Sequence, residues 1–233
     1  MAERETVVKG LVDAQPACSP GTRGMLLRIC RAASEALASS GAGVSVFTAN
    51  AVGGVGAASD PRSERLADLQ FVLGEGPGMD AFDGRRPVLV ADLDDDAPTR
   101  WPVYAPALRD SGVRAVFAFP LQVGAARLGV LHVFRDRAGP LSAEQLADAL
   151  TFADVTVAAL LDEQDGDGDG ITEAIEYRAE LFQAQGMVMV QIGGTISEAM
   201  ARLRAYAYAE NLGLSRIARD VVAGRLNFDQ DKT

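Results

Sequence analysis

The sequence predicts an α+β protein in two parts, a mixed helix-and-strand part followed by a small all-helical part of three helices. Three observations carry this. Short alternating or apolar runs bounded by Gly and Pro recur between residues 44 and 134, which is how strands read. From Ser142 onward a 3.6-residue apolar period takes over. An acidic Gly-rich stretch after Asp162 then marks a junction ahead of the last helices.

In chain order, residues 1 to 20 are mixed in charge and end in Pro16 and Pro20, a mobile arm or a short helix followed by a linker. Leu26, Ile29, Cys30, Ala33 and Leu37 recur at helical spacing until Gly41 and Gly43. Val44, Val46 and Thr48 alternate with Ser45 and Phe47 as a strand. The Gly-rich piece from Val52 to Ala58 lacks a nucleotide-binding glycine pattern and reads as a loop. A helix over 62–72 follows, with Leu66, Leu69 and Phe71 or Val72 facing in, then strands at 87–90 and 112–121. Gly124 turns a hairpin into 128–134. Ser142 caps a long helix whose Leu146, Leu150, Ala153, Val157, Leu160 and Leu161 have heptad-like spacing, suited either to a partner helix or to covering the sheet.

The last three helices follow from their periodicity. Leu181, Ala184, Val188 and Ile192 line one face of the first. Thr195 and Glu198 have capping-box spacing at the start of the second, whose inner face is Ala199 or Met200, Leu203 and Ala207. Asn211 and Gly213 end it, Leu214, Ile217, Ala218 and Val221 line the third, and Gly224 closes the run.

The order Arg178, Gln183-Ala184-Gln185-Gly186, Met189, Ala199, Leu203-Arg204, Ala207, then Leu214 through Ala218 to Val221-Val222 resembles the ANTAR family, a three-helix module implicated in RNA binding and transcription antitermination. Members usually have Lys where this chain has Gln185. Upstream, Leu73-Gly74-Glu75-Gly76-Pro77-Gly78, Arg100-Trp101-Pro102 and Gly112-Val113-Arg114-Ala115 resemble the GAF domains found ahead of ANTAR modules. The resemblance implies an antiparallel sheet flanked by helices, with a hollow that in many members holds a small ligand. Similar sequences often carry Cys after the G-E-G-P proline; here Gly78 excludes thiol redox sensing at that position.

The expected organisation is an N-terminal arm over 1–21, a GAF sensor domain over 22–162, an acidic linker over 163–170 and an ANTAR domain over 171–228. Candidate RNA contacts are Arg178, Gln185, Arg202, Arg204, Arg216 and Arg219, because a planar guanidinium bonds phosphate and stacks on unpaired bases. A Lys restored at 185 is expected to raise RNA affinity. Candidate walls of a ligand pocket are Phe71, Met79, Phe82, Trp101, Tyr104, Phe117 and Phe119, although ordinary core is the favoured reading for most of them. Asp165, Asp167, Asp169 and Glu176 fit the spacing of a calcium loop, although Asp-Gly repeats produce that pattern easily, and a flexible linker is the favoured reading.

Net charge is −10 and the isoelectric point about 4.6, which argues against non-specific binding to nucleic acid or membrane. Residues 171–233 hold 7 Lys or Arg against 8 Asp or Glu, so the acidity lies mostly upstream of the helical module. Cys18 and Cys30 form no C-x-x-C pair, and no apolar run is long enough to span a bilayer, so a cytoplasmic protein with reduced thiols is expected. His132 is the single histidine. No nucleophile, base or phosphate-binding motif accompanies it, so neither an enzyme nor a cofactor is expected. The expected function is a signal-responsive antitermination regulator, a homodimer through the 142–162 helix that binds RNA stem-loops under control of a small molecule in the GAF hollow. The alternative is a module that binds a protein partner or only dimerises.

Overall fold

The computed structural model describes residues 2–17, 19–47, 53–95, 97–162, 169–210 and 212–229. Five strands make one antiparallel sheet in the order β2-β1-β5-β4-β3: β1 Gly41–Phe47, β2 Gly53–Ala58, β3 Val88–Val90, β4 Ala115–Val123 and β5 Ala126–Arg135. The Gly-rich piece expected to be a loop is therefore the edge strand β2. Its glycines hide strand character in the sequence, and only its ladder with β1, Gly43 opposite Ala58 to Phe47 opposite Gly53, reveals it. β1 likewise begins at Gly41, inside the segment expected to stop a helix.

One face of the sheet is covered by α2 (Gly21–Ala36) and α7 (Ala143–Asp162), and α1 (Ala2–Asp13) packs on those two helices. Of the two readings of the N-terminal segment the helix holds: α1 buries Val8 and Val12, and Arg4 pairs with Asp148 of α7. Ser142 and Gln145 cap α7 reciprocally, each side chain accepting from the other's backbone N–H at 3.1 and 3.0 Å. The heptad-like face of α7 is largely spent on this sheet: Ala153 and Leu160 are buried in its core and Leu146 and Val157 pack against it. Leu150 and Leu161 remain exposed.

The opposite face is covered by α3 (Pro61–Leu73), α4 (Pro77–Gly84), the short α5 (Ala97–Arg100) and α6 (Tyr104–Asp110). Asp60 caps α3 by accepting from Arg62 N and Ser63 N, with Pro61 supplying a preset first helical turn.

α8 (Asp169–Ile192), α9 (Ile196–Ala209) and α10 (Leu214–Val222) form a third core from Leu181, Ala184, Val188, Ala199, Leu203, Ala207, Leu214, Ile217, Ala218 and Val221, the residues expected from their spacing. The Thr195–Glu198 capping box is formed in both directions. Gly213 does not end α9 in a left-handed turn; at φ −64° it is the extended N-cap of α10. Asn211 lies outside the described residues. Among the described residues no helix is long and apolar enough to cross a membrane.

Candidate functional site

Two regions were marked by the sequence, the expected ligand site in the GAF part and the surface of the three-helix module. Under α3 and α4, Phe71, Phe82, Trp101 and Tyr104 are buried together in a packed core, with Met79 against them. Phe47 stacks on Phe82 at 4.1 Å between centroids and meets Phe71 at 5.0 Å. Phe117 and Phe119 do not belong to this group. They face the other side of the sheet, in the core under α2 and α7, because successive β4 side chains alternate: Ala115, Phe117, Phe119 and Leu121 on one face, Val116 and Ala118 on the other.

The motif residues hold the helices over this core together. Glu75 Oε1 accepts from Val103 N at 2.7 Å and Tyr104 N at 2.8 Å, satisfying amides that the first turn of α6 leaves unpaired. Trp101 Nε1 donates to Asp80 of α4 at 3.1 Å, and Arg100 pairs with the same carboxylate at 2.8 Å while lying over the Trp101 ring. Tyr104 Oη donates to Leu66 O at 2.9 Å, pinning α6 to α3.

A buried polar chain, not anticipated from the sequence, crosses this core. Gly78 N donates to Gln70 Oε1 at 2.7 Å, Gln70 Nε2 stands 3.3 Å from His132 Nδ1, and His132 Nε2 stands 2.9 Å from Ser45 Oγ. Since Gln70 Oε1 is the acceptor for Gly78, its amide nitrogen faces His132 and donates. Nδ1 is then unprotonated and Nε2–H donates to Ser45. Burial pushes the His132 pKa down to about 3, so the ring is neutral. Gly78 permits the arrangement, because a Cβ there would collide with His132 Cε1. The sequence signals were faint: Gln70 falls one turn after inward-facing Leu66, and Ser45 is two positions before inward-facing Phe47.

The candidate RNA residues are placed unequally. Arg202, Arg216 and Arg219 are exposed, Arg219 with Glu180 Oε2 at 3.8 Å. Arg202 edges a shallow groove with Ile192, Gly193, Gly194, Glu198, Ala201 and Ala205. Gln185 is buried at 7% exposure and donates to Ile196 O at 2.9 Å, tying α8 to the start of α9, so it lies inside the module and not on the surface where an RNA contact was expected. Arg204 is half-buried against Gly74 of α3, and desolvation lowers its pKa. The side chain of Arg178 lies outside the described residues, as do those of Asp165, Asp167, Asp169 and Glu176 of the calcium-loop pattern.

The GAF domain family profile matches residues 21–185, most of the chain. The protein belongs to the GAF domain family. The ANTAR domain profile matches residues 169–222, so a GAF domain is followed by an ANTAR domain, and the continuous helix α8 runs through the overlap. The GAF domain of a phosphoenolpyruvate-protein phosphotransferase from Coxiella burnetii superposes with a TM-score of 0.53 at 15% identity, covering 70% of this chain and 94% of that one. The corresponding Acinetobacter domain gives 0.52 at 10% identity with the same coverage, and a domain of a putative two-component sensor histidine kinase from Sinorhizobium meliloti gives 0.51 at 19%, covering 63% and 94%. At these identities the likeness shows the fold alone. No curated protein matches the chain. The GAF–ANTAR pairing makes this a sensor-governed ANTAR regulator.

Proposed function

We propose that the protein is a cytoplasmic antitermination regulator whose ANTAR domain binds short RNA stem-loops under control of its GAF domain. The observation that carries this is the ANTAR match over 169–222, on which Arg202, Arg216 and Arg219 stand exposed. With no basic excess in the module, recognition rests on these placed guanidinium groups, which bond phosphate and stack on loop bases. Gln185 leaves the proposed surface. Of the pocket residues, Phe71, Met79, Phe82, Trp101 and Tyr104 stay as candidates to line a small-molecule site, and Phe117 and Phe119 do not. A homodimer through α7 would have to use Leu150 and Leu161.

Filter binding to a pool of short RNA hairpins at two salt concentrations tests the reading. RNA retention that weakens as salt rises is expected, since phosphate contacts release counterions. Exposed Val190, at 75%, with Phe182, Ile196 and Tyr208 supports a second reading, a protein-binding surface. An absence of RNA retention at low salt would favour it.

A further inference from the structure

We propose that the C-terminal end of α3 is a docking surface for α9 of the same chain, and that this docking withholds Arg204 from RNA. The inference rests on the RNA-binding reading above. α3 has two working sides. Leu66, Gln70 and Phe71 face the core under α3 and α4, whereas Val72, only 4% exposed, belongs to the core of the three-helix module and to neither core of the sheet. Leu69 touches both.

Arg204 leaves α9 next to Leu203 and lies over Gly74, the left-handed C-cap of α3 at φ +73°. Its Nη1 is 2.7 Å and its Cζ 3.1 Å from where a Cβ of residue 74 would stand, so the flat guanidinium fits because that residue is glycine. The carbonyls ending α3 carry partial negative charge, which suits a cation there. Yet Arg204 Nε is buried without a hydrogen-bond partner, and among the described residues Arg204 makes no hydrogen bond or ion pair. One guanidinium donor buried without an acceptor opposes the apolar contact made by Val72 and Leu69. A phosphate or an unpaired base would supply the missing acceptor. Dock and RNA therefore compete for one side chain.

The same end of α3 touches the buried polar chain. Gly74 N donates to Gln70 O at 2.8 Å, and the Gln70 carboxamide holds Gly78 N and faces His132. Gln70 is thus shared by the polar chain, through its side chain, and by the backbone under Arg204, through its carbonyl.

Val72→Glu places a carboxylate in the dock and leaves the other side of α3 unaltered. In the full chain it should enlarge the radius of gyration in small-angle X-ray scattering. If the docked form holds about nine-tenths of the molecules, release raises affinity for the hairpin pool about tenfold. Adding Arg204→Ala should remove that gain. Val72→Ser, a milder change, should move both readouts the same way by a smaller step and carries the test if the Glu variant does not fold by circular dichroism. Expansion with wild-type RNA affinity, a gain that survives Arg204→Ala, or no change in either readout overturns the docking inference while RNA binding itself stands. If wild type and variants alike retain no RNA at low salt, the RNA reading falls and takes this inference with it.

Discussion

Lowering the pH should destabilise the GAF domain through His132, and the size of the effect follows from its burial. In the unfolded chain an imidazole titrates near 6.5, whereas in the folded core its pKa lies at about 3. Between those values the unfolded state holds a proton that the folded state refuses, so stability is full above about pH 6.5 and falls as pH drops. The slope is about 1.4 kcal/mol per pH unit, or about 2 kcal/mol between pH 6.5 and 5. Asp68 works in the opposite direction. Burial raises its carboxyl to about 6, so the folded state gains a proton first and stability rises as pH falls from there toward the ordinary carboxylate range. Below about pH 6 the two slopes oppose each other, so the share of His132 is read only by a comparison that removes it. The two are separated by urea titrations of wild type and His132→Gln at half-unit steps from pH 7.5 to 5. Glutamine keeps a polar group between Ser45 and Gln70 but cannot take a proton. The difference between the two proteins should change by about 2 kcal/mol over the lower part of that range. Parallel curves would mean that His132 is not held neutral in the core, and the Ser45–His132–Gln70 chain would be misassigned.

Gly78→Ala should cost about 1 to 3 kcal/mol in the same urea assay, because the added methyl meets His132 Cε1; wild-type stability would show that α4 yields freely. Gln185→Lys should lower the thermal midpoint, since it removes the bond to Ile196 O and buries a charge at a cost of about 1 to 3 kcal/mol, and should not tighten RNA binding. An unchanged melt with tighter binding would turn that side chain outward. Leu150→Glu should leave the fold intact because Leu150 is 44% exposed, whereas Val157→Glu should destabilise it by charging a face packed on the core. Sedimentation of Leu150→Glu reads the α7 seam, and a surviving dimer would exclude that face.

Local chemistry determined much of this protein in advance. The inner faces of α8, α9 and α10 repeat every 3.6 residues, and the caps at Ser142 and Thr195 need only a partner three residues away, so helix type, start and buried stripe were legible. The same holds for the β4–β5 hairpin. Wherever an element has two apolar sides or a partner far away in sequence, the tertiary structure decided. Both faces of β4 are covered, so composition could not tell the side of Phe117 and Phe119 from that of Val116 and Ala118. β2 became a strand only through its ladder with β1, since glycine offers no side chain to signal it. Gln185 and Arg204 read as surface groups because polar side chains usually are. One lies inside because Ile196 O, 11 residues on, accepts its hydrogen bond, and the other is half-covered because α3, 130 residues earlier, lies against its helix.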